Sequence, residues 1–365
     1  MLRVAIVGCG NIAEKHALQI RRIDGAELVA VCDQEPIMAA QLADRFGVRH
    51  RYSDVARMLE DCELDAVHIT TPPFSHFALA MQCLEAGVNV YVEKPFTLTT
   101  DEAEQVLALA AERGLVVVPG HNGQFTQAMV RMRELVGTGF LGGKPVHMES
   151  LYCYDMSDPT YAAAMLGNRE HWVRKLPGSL LQNLISHGVA RIAEFLEDDD
   201  PEVTAVGFTS ALLTRLGHDD IIDEVRVVVR DADGTTATFT FSSQIKPELH
   251  QFRLYGTRNS LVVDDDYQVL VKVDDRSYRS YLRYVVAPAQ YAKQYAANAG
   301  WNTRRLAGRK FLFPYDSGMQ TLLEDFYASI AHGAPPPITP GEILRTSRIM
   351  DRIFEQVRVA TEPRV

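Results

Sequence analysis

Short apolar runs alternate with amphipathic segments over the first part of the chain, up to about residue 120. The runs are apolar at nearly every position, so both faces of each predicted strand are buried, as in a parallel sheet covered by helices. The segments between them carry apolar residues every three or four positions, and several end at a glycine, which is typical of helices. The pattern predicts strands at 2–7, 27–32, 65–70, 88–92 and 115–118, and helices at 11–22, 36–46, 53–60, 74–85 and 99–113.

The pattern changes after about residue 121. Apolar and polar positions now alternate within the predicted strands, which indicates an antiparallel sheet with one packed face and one free face. Asp233-Gly234 has the composition of a tight turn between two such strands, whereas residues 155–177 look irregular. The predicted strands are 146–154, 203–209, 224–229, 236–242, 251–255, 260–263 and 269–273, and the predicted helices are 126–136, 179–195, 317–331 and 341–357.

Composition and charge exclude several classes of protein. The net charge of −10 argues against a general nucleic-acid binder. No window approaches the ~18 uncharged apolar residues of a membrane span, and the first residues lack a secretory signal, so we expect a cytoplasmic protein without membrane contact. The cysteines are scattered and without a CxxC pair, which favours free thiols in a reducing compartment and no metal site. They are Cys9, Cys32, Cys62, Cys83 and Cys153.

A glycine motif lies between the first predicted strand and the first predicted helix. Its sequence fits GxGxxA: Gly8 permits a tight turn, Gly10 lets the backbone approach a pyrophosphate, and Ala13 allows close helix–strand contact. The backbone N–H groups at the start of the helix, around Asn11 and Ile12, then face the phosphates. This motif predicts a dinucleotide-binding domain.

An acidic residue at the end of the second predicted strand indicates which dinucleotide binds. Asp33 can accept hydrogen bonds from both ribose hydroxyls, and its charge repels the 2′-phosphate of NADP. Gln34 follows, with no Arg or Lys beside it to attract that phosphate. We therefore predict NAD(H) as the cofactor in preference to NADP.

Three further motifs resemble those of one protein family. Thr70-Thr71-Pro72-Pro73 follows a predicted strand and precedes His76, and Glu93-Lys94-Pro95 follows the next strand. The segment 120–125 is similar to an Asn-x-Arg-Phe junction between domains, with Gln124 in place of the arginine. Together with the glycine motif, these residues resemble the Gfo/Idh/MocA family, and the resemblance covers nearly the whole chain.

This resemblance implies an α/β fold with an N-terminal Rossmann domain at 1–121. It implies an α+β domain at 122–365, built on a large open, mainly antiparallel sheet that binds substrate and forms homodimer or homotetramer contacts. The implied enzyme is a dehydrogenase or reductase acting on a sugar, cyclitol or nucleotide sugar. The residues expected at the cofactor are Gly8, Gly10, Asn11, Ile12, Asp33, Thr71, Pro72, His76, Glu93, Lys94 and Asn122. Those expected at the substrate are Lys94, Asn122, Trp172, Asn183 and His187.

Lys94, His187 and Asn183 are the predicted catalytic residues. Lys94 ends a parallel strand, where such sheets bind ligands, and a lysine there can orient a substrate oxygen and stabilise alkoxide character. His187 matches a family histidine that follows an aspartate by one helical turn, but the aspartate is replaced by Asn183. Since an amide cannot act as a base, we expect Asn183 to hydrogen-bond substrate rather than to move a proton.

The stretch 276–315 contains no Asp or Glu, although the chain is acidic overall. One reading is a basic surface that pairs with an acidic patch of another subunit. The other is a site for an anionic substrate, such as a nucleotide sugar or uronic acid. Arginine would bind its phosphate or carboxylate group, and aromatic rings would stack on its base or sugar. Its basic residues are Arg276, Arg279, Arg283, Lys293, Arg304, Arg305, Arg309 and Lys310, and its aromatic residues include Tyr278, Tyr281, Tyr284, Tyr291, Tyr295 and Trp301. Arg169, Trp172 and Lys175 are further candidates.

Two other functions compete with simple hydride transfer. Tightly held NAD could oxidise a sugar carbon transiently and be restored, which would give a redox-neutral lyase, glycosidase or epimerase. A non-catalytic NAD-binding sensor is the third reading, favoured by the loss of the aspartate at position 183 and opposed by Glu93, Lys94 and His187. The sequence leaves the substrate and the oxidised carbon open, because the fold supports only the reaction class.

Overall fold

The structure, a computed structural model, describes residues 1–167, 170–274, 281–308 and 318–359. The chain divides into two compact units, the first formed by Met1–His121 with Met319–Arg348 and the second by Asn122–Gly318 with Ile349–Val365. The segment Met319–Arg348 therefore groups with the first unit, whereas the sequence-based division assigned all of 122–365 to the second domain. None of the helices in the described ranges is long and apolar enough to span a membrane.

The strands fall into two sheets, one in each unit. Strands β1 to β6 belong to the first unit and strands β7 to β13 to the second. They are β1 Leu2–Val7, β2 Ala26–Cys32, β3 His50–Tyr52, β4 Ala66–Ile69, β5 Asn89–Val92, β6 Val117–Pro119, β7 His147–Asp155, β8 Glu202–Phe208, β9 Glu224–Arg230, β10 Thr236–Ser242, β11 Gln244–Tyr255, β12 Asn259–Asp264 and β13 Val269–Asp274.

The α-helices are numbered in chain order. They are α1 Asn11–Ile20, α2 Pro36–Phe46, α3 Val55–Asp61, α4 His76–Glu85, α5 Thr100–Arg113, α6 Gln127–Gly137, α7 Pro159–Leu166, α8 Ser179–Leu184, α9 Ser186–Ala193, α10 Ala211–Arg215, α11 Arg283–Ala307, α12 Met319–His332 and α13 Pro340–Val359. Short 3₁₀ turns lie at Pro73–Ser75, Asn122–Phe125 and Trp172–Lys175.

The first unit is a parallel sheet with the strand order β3-β2-β1-β4-β5-β6. This order places β1 and β4 side by side at the switch point of the sheet, where doubly wound folds bind dinucleotides. All four residues of β4 are buried, as the continuous apolar pattern predicted. The predicted parallel sheet is confirmed, with β3 as a strand that the sequence pattern did not reveal.

Local signals set the helix ends in the first unit. Thr99 accepts a hydrogen bond from the backbone N–H of Glu102 and so caps the start of α5, which ends at Gly114 in the left-handed conformation. For α3 the prediction was wrong by one residue. Asp54 rather than Ser53 is the cap, because its carboxylate accepts from the backbone N–H of Arg57 at 2.8 Å.

The second unit is built on a seven-stranded sheet with the order β13-β12-β11-β7-β10-β9-β8. Five of the six strand pairs are antiparallel and only β7 and β10 are parallel, so the predicted mainly antiparallel sheet is confirmed. One face buries aromatic residues, including Phe239, Phe241 and Phe252. The other face exposes Val206 and Val228, at 59% and 51%. The alternating pattern therefore correctly predicted one packed face and one free face.

Two predictions between β7 and β8 were wrong. The segment 155–177 contains α7 and a 3₁₀ turn rather than irregular chain. The single helix predicted at 179–195 is divided into α8 and α9, which meet at Ile185 (φ −83, ψ −12). Gly188 of α9 lies against the ring of Phe239, where a Cβ would collide with the ring, so α9 lies close against the sheet.

The 25-residue helix α11 was not predicted. It contacts the edge strand β13 through amide side chains one helical turn apart. Gln294 accepts from the backbone N–H of Lys272 at 2.8 Å and donates to its carbonyl at 2.9 Å. Asn298 does the same with Leu270, at 3.2 and 3.0 Å. We call this arrangement the amide ladder.

Candidate active site

The glycine motif forms the loop between β1 and α1 in the first unit. Gly8 has φ +92, and a Cβ at this position would lie 2.7 Å from Thr71 Cγ2 and 2.8 Å from the Thr71 backbone nitrogen. A Cβ at Gly10 would instead have no heavy atom of the described chain within 4 Å, and Gly10 caps α1 without a side chain. The first turn of α1, with Asn11 and Ile12, is therefore open to a pyrophosphate, as the fit of a dinucleotide requires.

Asp33 is held in place at the end of β2 by the backbone. Its Oδ2 accepts from the N–H of Cys9 at 2.6 Å, and its Oδ1 accepts from the N–H of Glu35 at 2.9 Å. A carboxylate has about four acceptor positions, so positions remain for ribose hydroxyls. Burial, with the charge of Asp33 adding to it, raises the pKa of the Cys9 thiol to about 12. The acidic residue is thus oriented by the glycine loop itself.

The Thr71-Pro72 segment is tied to the loop after β5 by His76. The His76 ring contacts the Thr71 carbonyl through Nε2 at 2.9 Å and the Pro95 carbonyl through Nδ1 at 2.8 Å. Burial lowers the pKa of His76, although the two carbonyls oppose this effect. In the structure His76 therefore holds two cofactor-side loops together, and its predicted contact with the cofactor stays a prediction.

Glu93 and Lys94 lie at the carboxyl end of β5. Glu93 Oε2 accepts from the backbone N–H of Lys94 at 3.1 Å, and Glu93 Oε1 lies 2.9 Å from His16 Nε2. Burial lowers the pKa of Lys94, while the charge of Glu93 opposes this shift. For Glu93, burial acts to raise the pKa, but the His16 hydrogen bond and the charge of Lys94 leave it lowered. The site therefore stabilises an ionised carboxylate beside an amine that loses its proton more easily than usual.

A buried histidine pair that sequence reasoning missed extends from Glu93. His16 Nδ1 lies 2.9 Å from His68 Nδ1, and His68 Nε2 lies 2.9 Å from the Tyr327 hydroxyl. Tyr91 stacks on His68 with its ring centroid 5.1 Å away. One signal was available in the sequence, because His68 is the only polar side chain inside the predicted strand 65–70 apart from its ends.

In the second unit, the structure places His187 at the start of α9 and Asn183 in α8. Ile185, which lies between the two residues, separates the two helices. His187 lies against Tyr152 of β7, with 5.9 Å between ring centroids. A Cβ on Gly123 would lie 3.6 Å from His187, so the 3₁₀ turn that contains Gly123 also lies close to the histidine.

A second histidine that the sequence did not single out lies on the same face of the sheet. His250 of β11 pairs across from Tyr152, and their rings are 4.5 Å apart. His250 Nδ1 lies 2.7 Å from Asp266 Oδ1, while Nε2 is buried without a hydrogen-bond partner in the described parts of the chain. Tyr154 completes this group, with its ring 5.0 Å from His250. The group therefore pairs one oriented imidazole with two phenols beside His187.

Arg191 anchors this group from α9. Its side chain is almost completely buried, and its guanidinium contacts Asp265 and donates to the carbonyl of Gly123 at 3.1 Å. It also lies 5.7 Å from the centre of the Tyr152 ring. Burial lowers the pKa of Arg191, whereas the nearby Tyr152 raises it. A buried arginine needs such partners, but the sequence alone gives no sign of which helical arginine is buried.

The remaining predicted residues lie elsewhere in the second unit. Asn122 begins the 3₁₀ turn Asn122–Phe125, and Gln124, which replaces the family's arginine, donates to Glu194 at 3.1 Å. Trp172 begins the turn Trp172–Lys175 and contacts the His171 ring. In the described ranges no group of three His, Cys, Asp or Glu side chains is arranged to hold a metal ion.

The basic aromatic stretch is described only in part. Its central part forms α11, where Tyr284 is 79% exposed and Arg305 stacks on Trp301 at 4.9 Å. Lys175 pairs with Glu170 at 3.1 Å. The candidates Arg169, Arg276, Tyr278, Arg279, Arg309 and Lys310 lie outside the described residues.

The strand order, the glycine loop and the oriented Asp33 define the first unit as a dinucleotide-binding domain with a lysine at the strand end next to the switch point. Residues 2–121 match the model of the oxidoreductase family with an NAD-binding Rossmann fold. Residues 129–262 match the C-terminal domain of the same family. The chain belongs to the Gfo/Idh/MocA family of oxidoreductases, which confirms both the resemblance and the expected cofactor, NAD.

Two curated relatives are similar over part of the chain. The 4-carboxy-2-hydroxymuconate-6-semialdehyde dehydrogenase of Sphingobium sp. is 30% identical over 151 residues, or 41% of this chain and 48% of the relative. The UDP-N-acetylglucosamine 3-dehydrogenase of Acidithiobacillus ferrooxidans is 35% identical over 149 residues, or 41% of this chain and 44% of the relative. The matched region thus spans about half the length of these relatives.

A solved structure shows that the fold is shared over the whole length. The WlbA dehydrogenase from Bordetella pertussis, in complex with NADH and UDP-GlcNAcA, has a TM-score of 0.76 to this chain. The two are 18% identical, and the match covers 99% of this chain and 96% of the other. At this identity the likeness concerns the fold alone.

Proposed function

We propose that the protein is an NAD(H)-dependent oxidoreductase that transfers a hydride between nicotinamide and a hydroxyl or keto carbon of a sugar, cyclitol or nucleotide sugar. One observation carries the proposal. Lys94 lies half-buried at the carboxyl end of β5 beside the ionised Glu93, in the sheet that carries the glycine loop and Asp33. The dehydrogenase names of the relatives support net hydride transfer over the redox-neutral and sensor alternatives.

Lys94 supplies the proton chemistry in this proposal. NAD, when bound, accepts or donates the hydride at its nicotinamide ring. Oxidation also requires a proton to leave the substrate hydroxyl, and burial favours the neutral amine that can accept it. In the reverse direction the ammonium form donates to the carbonyl oxygen. The charge of Glu93 opposes this downward shift of the Lys94 pKa.

The second unit contributes substrate contacts in this proposal. His187, beside Tyr152, is the second candidate for proton transfer. Asn183 hydrogen-bonds a substrate hydroxyl, since its amide cannot take part in proton transfer. Asn122 and Trp172 stay candidates for cofactor and substrate contact, on the family resemblance alone.

The assembly and the compartment are part of the same proposal. The free face of the second sheet exposes Val206, Phe208 and Val228, which suits contacts between copies in a homodimer or homotetramer. All five cysteines are buried free thiols, which suits the reducing cytoplasm. The exposed tyrosines of α11 fit the subunit-contact reading of the basic aromatic stretch, and an anionic substrate is the alternative.

The test combines identification of bound nucleotide with turnover. Nucleotide released from the purified protein is identified by mass, and NAD⁺ and NADP⁺ are screened at 340 nm with sugars, cyclitols and nucleotide sugars. We expect NAD⁺ turnover that falls about 10²- to 10⁴-fold in Lys94→Ala. Lys94→Arg is the matched variant, because arginine keeps the charge but does not deprotonate, so it should not restore oxidation.

Other outcomes would replace the proposal. Product formed with retained NAD and no net change at 340 nm would establish redox-neutral chemistry. Bound NAD with no product from any substrate, and no effect of Lys94→Ala, would favour a sensor.

A further inference from the structure

Four side chains of the first unit form an unbroken buried line that reaches Glu93. Tyr327 of α12, His68 of β4 and His16 of α1 are joined by contacts of 2.9 Å, and His16 reaches Glu93 at the same distance. The two histidines are completely buried, and Tyr327 is nearly so. Buried polar groups are costly unless each is hydrogen-bonded, so such a line needs a defined assignment of its protons.

Only one arrangement with neutral rings uses every proton. An ionised Glu93 accepts, so His16 Nε2 carries hydrogen and His16 Nδ1 accepts from His68 Nδ1–H. His68 Nε2 is then an acceptor, and it receives the Tyr327 hydroxyl. If His16 were a cation instead, His68 Nε2 would donate to Tyr327. The hydroxyl proton of Tyr327 would then lose His68 Nε2 as its hydrogen-bond acceptor, which is unfavourable for a buried group.

We propose that Tyr327, His68 and His16 are a one-way chain of hydrogen-bond donors that positions Glu93, and through Glu93 acts on Lys94. The inference rests on the proposed role of Lys94, and it makes all three residues positioning residues rather than catalytic ones. The chain also connects α1, the helix that follows the glycine loop, with the end of β5 that carries the lysine. The binding segment and the reacting amine are therefore held by one network.

Burial favours the neutral form of the His68 ring and the protonated form of the Tyr327 hydroxyl. Burial lowers the pKa of His68 well below its usual value, and nearby His16 adds to the effect. Burial likewise raises the pKa of the Tyr327 hydroxyl, so it stays a donor. The other titratable groups facing Glu93 and Lys94 are His76, Tyr91 and His121, and burial lowers the pKa of His121 to about 4.

The first experiment reads the tautomers directly. The two ring nitrogens of each histidine are distinguished by ¹⁵N NMR of the histidine-labelled full chain at pH 7, with signals assigned through His16→Gln and His68→Gln. We expect His16 as the Nε2–H tautomer and His68 as the Nδ1–H tautomer. A protonated His16, or the opposite tautomer of His68, would overturn the one-way chain.

The second experiment tests the coupling to Lys94 without turnover. The rate of Lys94 acetylation by acetic anhydride is followed against pH by peptide mass spectrometry, in protein without added cofactor. His16→Leu removes the donor to Glu93, so the carboxyl group is more easily neutralised and Lys94 loses its stabilising charge. We expect the midpoint for Lys94 to fall by about one pH unit. His16→Gln keeps an N–H donor toward Glu93 and should restore most of that shift.

Tyr327→Phe is the variant least expected to misfold, because it removes only one hydroxyl group, at the end of the hydrogen-bond chain that lies farthest from Glu93. It should move the Lys94 midpoint in the same direction by a smaller amount, and the pH profile of kcat should follow. If the pH midpoint of Lys94 acetylation were unchanged in both Tyr327→Phe and His16→Leu, the proposed coupling between the hydrogen-bond chain and Lys94 would be overturned. If the midpoint shifts but the protein turns over no substrate, the result would support the hydrogen-bond network and would refute only the proposed reaction.

Discussion

Gly8 and Gly10 lie two positions apart in one loop, yet a methyl group meets different surroundings at each. At Gly8 it would collide with the backbone of Thr71 in a conformation of positive φ, whereas at Gly10 it would project into open space. The first glycine is therefore required by the fold of the chain. The second is required by what approaches the loop from outside.

We predict opposite outcomes for the two alanine variants. Gly8→Ala should lower the free energy of unfolding by about 2–4 kcal/mol, because strain and overpacking add. Gly10→Ala should unfold like the parent protein but bind NAD about tenfold more weakly, a change of about 1.4 kcal/mol. Urea unfolding and calorimetric titration with NAD measure the two effects. Equal stability of both variants would contradict this division of roles.

Asp266 orients His250, and its charge depends on that contact. Burial alone would raise the pKa of Asp266, but the His250 hydrogen bond and the charge of Arg191 leave it lowered. A carboxyl group whose pKa is lowered by folding adds stability above its unfolded pKa of about 4, and this contribution is lost as the pH falls through the folded value.

We therefore predict that Asp266→Asn is less stable than the parent by about 1.5–3 kcal/mol at pH 7. The difference should shrink as the pH falls below about 4, where the parent also loses the charge. Urea unfolding at a series of pH values measures it, with the exposed Asp219→Asn as the control. A constant difference across the series would show that the charge is not what stabilises the pair.

Residues that belong to a sequence motif could be predicted at this scale, and buried residues outside any motif could not. Gly8, Asp33 and Lys94 are recognised because they follow strands in a fixed motif. His16, His68 and Arg191 have no such motif, since their burial depends on neighbours such as Tyr327 and Asp265 that are distant in sequence.

At the scale of elements, periodicity located nearly every strand but did not reveal the division of the helix predicted at 179–195. The apolar pattern of 179–195 is continuous, so nothing local marks the interruption at Ile185. The close contact of Gly188 with Phe239 is a tertiary constraint on α9. For α11, Pro288 inside the helix and its polar, basic composition concealed a regular helix.

The amide ladder of α11 gives a prediction about stability. Asn298 is 2% exposed and contacts both backbone groups of Leu270, as well as Arg131 at 3.0 Å. Asn298→Leu keeps the size but leaves these groups without partners, so we expect a loss of about 2–4 kcal/mol in urea unfolding. Gln294→Leu is the control, with a smaller loss, because water reaches that half-buried position. Equal losses would mean that α11 is held mainly by other contacts.

At the scale of the whole molecule, the order of elements carried most of the correct prediction. The alternation of strands and helices correctly predicted the parallel sheet, and the succession of later strands correctly predicted the second sheet. The assignment of Met319–Arg348 could not be predicted in this way. It groups with the first unit through contacts such as Tyr327 with His68, which join residues more than 250 positions apart.

The two readings of the basic aromatic stretch are distinguished by charge reversal on α11. We predict that Arg304→Glu with Arg305→Glu lowers the subunit number in light scattering and leaves KM for the substrate unchanged. The reason is that α11 carries exposed tyrosines, which suit a protein contact. Arg49→Glu in the first unit is the control for net charge. A KM raised about tenfold or more with unchanged assembly would instead support an anionic substrate.

The amide ladder also limits how copies of the chain can join. A sheet with two open edges can add strands at both ends and grow into a fibre. Here the outward-facing groups of Leu270 and Lys272 on β13 are satisfied by α11, and those of Val203 and Ala205 on the opposite edge strand β8 are satisfied by Gln356 of α13. Both edges of the sheet are therefore covered at these positions, and this covering obstructs the addition of strands from another copy. The sheet is thus protected against fibre growth at both ends, by α11 at β13 and by α13 at β8.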